Sequence, residues 1–184
     1  MGLDMYLNKK IYIGANYDIN GIEGKIEITR HGKPIPINFK KVTYITEEAV
    51  YWRKANQIHK WFVDNVQDGV DDCGNYYVSK EKLEALLKTI NDLFEEVKPY
   101  VDLSSVDFKA MENDDFDGVI AKNIEKINAI CDKYLPTQSG FFFGGVKYDF
   151  WYFYDLVFTK NELEKLLEDN EENKVGDLYY HASW

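Results

Sequence analysis

The first part of the chain alternates between apolar and polar residues, a period of two that is typical of β-strands. Residues 5–14 (MYLNKKIYIG) and 25–30 (KIEITR) both follow this pattern. A break at residues 31–34 (HGKP) separates the second stretch from another extended one at 35–39, so we predict a hairpin. Pro34 and Pro36 restrict its second strand to an edge or an end, because proline has no N–H to donate to a neighbouring strand.

Most of the remaining chain has apolar residues at the three- and four-residue spacing of helices. We predict four helices: residues 46–65 with Thr46 as N-cap, 80–97 with Ser79 as N-cap, about 119–134, and about 149–169. Residues 102–118 are polar and irregular and are predicted to form an insertion. A short buried strand is predicted at 139–145 (SGFFFGG), and a closing strand at 178–184 (LYYHASW).

This order of elements predicts the fold class. Strands come early and late and helices lie between them, which favours an α+β fold over a doubly wound parallel sheet. The 184 residues suffice for one domain with its own core. We therefore expect a single domain over residues 1–184, with a small antiparallel sheet packed against about four helices.

The charge of the chain changes what partners it is expected to have. Lysine and arginine number 22 against 32 acidic residues, a net charge of −10. General nucleic-acid binding is not expected, because it requires a basic surface. Residues 1–44 carry +3 and the remainder −13. The acidic surface serves solubility in one interpretation; in another it binds and blocks a host enzyme or nucleic-acid site.

Two further features bear on location. No stretch approaches the 18 apolar residues of a membrane span, and no secretory signal is recognised at the start. Cys73 and Cys131 lack the spacing of a metal or redox motif, so we expect free thiols in a reducing compartment. Together these features predict a cytoplasmic protein with no membrane partner.

The segment from Tyr51 to Tyr77 concentrates the chain's polar chemistry. On the predicted helix, Asn56 and His59 lie at the edge of the apolar stripe, beside Trp52. Half-buried polar groups must find hydrogen-bond partners. One interpretation is a structural network that ties the following loop to the helix. The other is a ligand pocket between this segment and residues 141–155.

The pocket interpretation assigns roles to particular side chains. Aromatic rings would stack a flat group, amides and carboxylates would bind its edge or a ribose, and cations would face a phosphate. The candidate ligand-binding residues are Trp52, Arg53, Asn56, His59, Lys60, Gln67, Asp68, Asp71, Asp72, Tyr76, Tyr148 and Tyr152.

Catalytic and metal-binding alternatives rest on the same residues. His59 with Asp71 or Asp72 could act as a general base, and Cys73 could be a nucleophile activated by His59. A metal site could be built from His59 with Asp68, Asp71 and Asp72. None of these has a motif of fixed spacing, so we assign no catalytic residue, metal ion or cofactor.

Several segments resemble a family of uncharacterised phage and prophage proteins. They are MGLDMYL, YWRKANQIHKWFVDNVQDGVDDC, LPTQSGFFFG, YDFWYFYD and YYHASW, and together they run nearly end to end. The resemblance implies a context, because small accessory proteins of phages often counter bacterial defence. One class of them sequesters cyclic or ADP-ribose-type nucleotide signals and is usually oligomeric. No catalytic role is carried over from the family.

Three functions remain open from the sequence. The first is an anti-defence protein that binds and sequesters a small nucleotide-type ligand, with homo-oligomers as an accompanying expectation. The second is a small hydrolase that acts on such a ligand through His59 and an adjacent aspartate. The third is an acidic protein that inhibits a host defence protein by direct binding.

Overall fold

The structure, a computed structural model, describes residues 2–14, 23–170, 172–173 and 175–184, with the side chain of Asp114 left out. A four-stranded sheet contains β1 (Asp4–Tyr12), β4 (Tyr44–Arg53), β5 (Asn75–Val78) and β6 (Asp177–Ser183). Its order is β4-β1-β6-β5, and all neighbours are antiparallel. A separate hairpin pairs β2 (Ile28–Arg30) with β3 (Lys33–Ile35).

The helices follow β4 and β5 in the sequence. They are α1 (Asn56–Asn65), α2 (Lys80–Val97), α3 (Asn113–Ile120), α4 (Ile124–Tyr134) and α5 (Phe150–Leu167). Short 3₁₀ turns occupy Phe39–Lys41, Leu103–Ser105 and Ala121–Asn123. The predicted α+β class is confirmed. Among the described residues, no helix is both long enough and apolar enough to cross a bilayer.

One face of the sheet forms the core with the helices. Met5, Leu7 and Trp52 point to this face and are almost fully buried. Tyr180 of β6 stacks on Phe62 of α1, with ring centroids 4.0 Å apart and an interplanar angle of 8°. Fully burying one such side chain contributes roughly 1.5–3 kcal/mol. Aromatic stacking thus helps to pack α1 on the sheet.

The predicted helix over residues 46–53 is wrong, because these residues form β4. Val50 and Trp52 are buried while Tyr51 and Arg53 are exposed, which is the period of a strand. Met5 of β1 pairs with Trp52, so the strand fills an edge of the sheet. The helix begins only at Asn56, with Ala55 rather than Thr46 as N-cap.

The predicted buried strand at 139–145 is also wrong. Phe141 is 81% exposed and Phe142 is 51% exposed, so only Phe143 of the three is buried. Phe142 has a φ of +66° and Gly144 a φ of +95°, which are turn conformations. The segment is a loop that turns back towards the start of α1.

Other boundaries differ in detail. The region predicted as an insertion contains the start of α3, whose Phe116 is fully buried. The predicted third helix is α4 preceded by a 3₁₀ turn. β5 was not predicted, since its four residues are too few for a clear period. The predicted hairpin, α2, α5 and the closing strand are confirmed within a few residues.

Candidate functional site

The corner between β4 and α1 is a tight, strained turn. Lys54 has a φ of +62°, a conformation that non-glycine residues adopt at a cost of roughly 1–2 kcal/mol. Gly144 packs directly against it, and a Cβ at Gly144 would lie 3.0 Å from the Cβ of Lys54. Ala55 supplies no side-chain cap to the first turn of α1. The loop that contains Gly144 therefore packs against the corner and supports its strained conformation.

Asn56 joins that loop to the helix. Its Nδ2 donates to the carbonyl oxygens of Phe143 (3.2 Å) and Gly145 (2.8 Å). Its Oδ1 accepts from the backbone N–H of Gln138 at 3.0 Å. The side chain is 2% exposed. Asn56 is thus fully used by the protein's own backbone, which is the structural network and not a free ligand contact.

His59 extends the same network to the sheet. Its Nδ1 lies 2.7 Å from the hydroxyl of Tyr180, and its Nε2 lies 3.0 Å from Oδ1 of Asp71. The other oxygen of Asp71 accepts from Nε2 of Gln138 at 3.1 Å. A carboxylate only accepts, so Nε2 carries the proton and Nδ1 accepts from Tyr180. A continuous chain of hydrogen bonds therefore links β6, α1 and the loops after α1 and α4.

Burial decides the charge of His59. The ring is fully buried, and desolvation lowers the pKa of His59 below 6.5 despite the neighbouring Asp71, which acts in the raising direction. Both ring nitrogens are already bonded, so none is free to take a proton from Cys73. The arrangement favours a neutral structural histidine over a general base.

The remaining predicted ligand residues are dispersed. The Nε1 of Trp52 donates to Thr159 inside the core at 2.9 Å, so this indole offers no stacking surface. The Nε2 of Gln67 donates to Val70 at 2.8 Å, and its buried Oε1 has no hydrogen-bond partner among the described residues. Lys60 pairs with Asp64 on the helix surface at 2.8 Å.

The acidic loop is organised by local contacts. Asp72 accepts from the N–H of Gly74 at 2.7 Å and from the hydroxyl of Tyr76 at 3.0 Å. Asp68 lies in an exposed turn with a φ of +51°. In the later segment, Tyr148 binds Asp132, and Tyr152 donates to the carbonyl of Leu135 at 2.9 Å. The sites of Asp68, Asp72 and Tyr76 are separate from the network of Asn56.

A cleft of about 430 Å³ opens beside the β4–α1 corner. Three cations border it: Arg53 and Lys54 from the corner and Lys147 from the loop before α5. Trp151, in the first turn of α5, lines it with an indole that is 56% exposed. The volume lies in the usual range of small-molecule sites, roughly 300–1,000 Å³. The cleft lies between the two segments predicted to form the pocket.

The carboxyl group of Asp155 is the unusual chemical group in the cleft. Desolvation raises the pKa of Asp155 to about 7, helped by Asp149 and opposed by a hydrogen bond from Gln57. The Nε2 of Gln57 lies 3.5 Å from Oδ2 of Asp155. Asp149 is occupied as the N-cap of α5, where it accepts from the N–H of Trp151 at 3.1 Å. Near neutral pH the cationic groups therefore outnumber the anionic ones.

The structure brings together only part of the predicted set. Arg53, Asn56 and Tyr152 line the cleft, whereas Trp52 and His59 lie in the core. Residues that line the cleft but were absent from the predicted set are Lys54, Gln57, Thr137, Gly144, Gly145, Lys147, Asp149, Trp151 and Asp155. The aromatic start of the fourth helix, predicted at about residue 149, was the sequence signal that pointed nearest to them.

Within the part of the chain that the structure describes, no group of three or more histidine, cysteine or acidic side chains is arranged to hold a metal ion. Comparison of the chain with protein-family models, with curated proteins and with solved structures gave no match. The class that the fold and the site define is therefore an α+β domain with a small, cation-lined cleft.

Proposed function

We propose that this protein binds a small nucleotide-type ligand in the cleft beside the β4–α1 corner and holds it without turnover. The observation that carries the proposal is the juxtaposition of Arg53, Lys54 and Lys147 with the exposed indole of Trp151, in a chain of net charge −10. Three neighbouring cations are suited to bind a phosphate group, and an exposed indole is suited to stack on a nucleobase.

The polar wall of the cleft supports the same ligand class. The carboxyl of Asp155, with its pKa raised to about 7, can donate a hydrogen bond when it is protonated. Gln57 offers an amide next to it. Such groups bind the edge of a base or a ribose hydroxyl. The volume of about 430 Å³ favours one nucleotide unit at a time, or one half of a larger signal.

Binding without turnover is proposed because His59, the candidate general base, is buried. His59 is fully buried with both nitrogens bonded, so the hydrolase alternative has no exposed histidine in this segment. In a phage context, which rests on the sequence resemblance, the ligand would be a defence signal in the host cytoplasm. The protein would then lower the free concentration of that signal.

The test is equilibrium dialysis of the full chain against cyclic dinucleotides, ADP-ribose derivatives and single nucleotides. We expect at least one Kd below 10 μM, because sequestration needs about −7 kcal/mol or better. The ligand should be recovered chemically intact after heat denaturation. Recovery of altered ligand would instead indicate an enzyme.

Matched variants locate the site. Trp151→Ala should weaken binding about fivefold or more, because stacking on an aromatic ring contributes about 1–3 kcal/mol per base. Lys147→Ala should also weaken binding, because it removes one of the three cations that border the cleft. Phe141→Ala is the control, since Phe141 is 81% exposed and does not line the cleft. Equal affinity of all three variants, or no binding below 10 μM, would contradict the proposal.

A further inference from the structure

The segment from residue 23 to residue 43, here called the arm, buries none of its side chains in its own chain. It contains β2, β3 and the 3₁₀ turn at Phe39–Lys41. His31 (φ +51°) and Gly32 (φ +75°) form its two-residue turn, a conformation that matches the twist of a hairpin. The ladder has three residue pairs, and the most shielded described residues of the arm, Ile26, Phe39 and Val42, are only half-buried.

One face of this hairpin carries an isoleucine pair and a basic pair. Ile28 pairs directly with Ile35, and the next pair on the same face is Arg30 with Lys33. Ile28 is 45% exposed, and Ile35 and Ile37 are each 37% exposed. A lone two-stranded hairpin is marginally stable in water, and it needs a further surface to pack on. In the part of the chain that the structure describes, the arm thus exposes an isoleucine pair and a basic tip.

The outer face of the main sheet is a suitable surface. We call it the tyrosine face; it presents Tyr6, Tyr51, Tyr77, Tyr179 and His181. Tyr6 stacks on His181 with centroids 6.0 Å apart, and it lies 5.3 Å from Tyr51. Tyr77 is 58% exposed. Tyr77 and Tyr179 form a second group, with ring centroids 6.0 Å apart, so the rings lie in two clusters on the face opposite the one that packs on α1.

Charge indicates which partner the arm fits. The arm carries five lysine and arginine residues against two glutamates, a net charge of +3. Residues 45–184 carry −13. A second copy of this chain therefore offers both an acidic body and an aromatic surface. Nucleic acid would match the basic tip but would be repelled by the body and would leave the isoleucines unpaired.

We propose that the chain forms a symmetric dimer, in which the arm of each copy covers the tyrosine face of the other. The arm joins the sheet at Tyr44, which pairs with Tyr12 at the end of β1 and β4. Exchange of arms about a twofold axis near this end makes two identical contacts and closes the assembly. The same surfaces are used on both copies.

Sedimentation velocity of the full chain between 1 and 100 μM tests the dimer. We expect twice the chain mass for the natural sequence. The arm variant Ile28→Ser/Ile35→Ser and the face variant Tyr51→Ser/Tyr77→Ser should sediment as single chains, with unchanged circular dichroism. The control Val119→Ser/Ile124→Ser removes equally exposed apolar residues outside both surfaces and should remain dimeric.

Mixing the two variants makes the test specific. The arm variant keeps an intact face and the face variant keeps an intact arm, so an equimolar mixture should restore one contact and form a heterodimer. A natural sequence that is monomeric at 100 μM would overturn the proposal. A dimer that survives the arm substitutions, or a mixture that stays monomeric, would overturn it as well.

Discussion

Asp155 makes the stability of the protein depend on pH in a direction opposite to that of a salt-bridged aspartate. Its pKa is about 7 in the folded protein, against an ordinary value of 3.8 in the unfolded chain. Between these values the folded state holds a proton that the unfolded state has released. Stability due to this group is therefore highest below pH 3.8, falls as pH rises, and reaches its minimum above pH 7.

Asp155→Asn removes the titration and keeps the shape of the side chain. Between the two pKa values of Asp155, the natural protein loses about 1.4 kcal/mol of stability for each pH unit. Its loss between pH 5 and pH 8 therefore amounts to about 3 kcal/mol. Relative to the natural sequence, the variant should gain this much stability over that interval. The gain is an upper bound, because the carboxyl is only partly shielded by the cleft.

Urea denaturation at pH 5 and pH 8, followed by circular dichroism, measures the difference. Asp64→Asn is the control, because Asp64 is an exposed aspartate on α1 paired with Lys60. Its difference from the natural sequence should stay constant between the two pH values. If Asp155→Asn behaves in the same way as this control, the reasoning that Asp155 is desolvated is refuted.

Three further outcomes are expected. Asn56→Ala should lower the free energy of unfolding in urea by about 2–4 kcal/mol, because it leaves buried backbone groups unpaired. The control Asn65→Ala removes one local hydrogen bond and should lower it by under about 1 kcal/mol. Equal losses would contradict the hydrogen-bond network of Asn56. The lowered pKa of His59 predicts stability lost as pH falls below 6.5, and His59→Gln should flatten this acid limb by at most about 1.4 kcal/mol per pH unit. Gly144→Ala should destabilise the protein by about 1–3 kcal/mol in thermal unfolding, because Gly144 has a positive φ and contacts Lys54. The control Gly118→Ala should not destabilise it, because a Cβ at Gly118 meets open space.

Helices with a clear apolar stripe were predictable from the sequence. In α2, Leu83, Leu86 and Ile90 recur at helical spacing and are all buried, and Ser79 stands at the N-cap position. The strand that became β4 was not predictable in the same way. Its residues Thr46–Glu48 look like the first turn of a helix, and only pairing with β1 shows that they continue a strand.

The candidate site was predictable only in part, because its contacts are long-range. The sequence indicated that Asn56 and His59 need partners, and they do have them. Asp71, one partner of His59, lies only 12 residues on, in the loop that the sequence indicated. The other partners include Gln138, Phe143 and Tyr180, which are more than 80 residues away. No local spacing encodes such distances. The cleft itself depends on a loop whose exposed Phe141 looked like a buried strand residue.

The position of β6 in the sheet has a consequence for how the domain folds. β6 lies between β1 and β5, and its pairing with β1 joins residues about 170 positions apart. The hydrogen-bonded ladder therefore cannot close until residues 177–183 have left the ribosome. Until then Met5 and Leu7 lack neighbours on one side, so nascent chains would expose them to chaperones during translation.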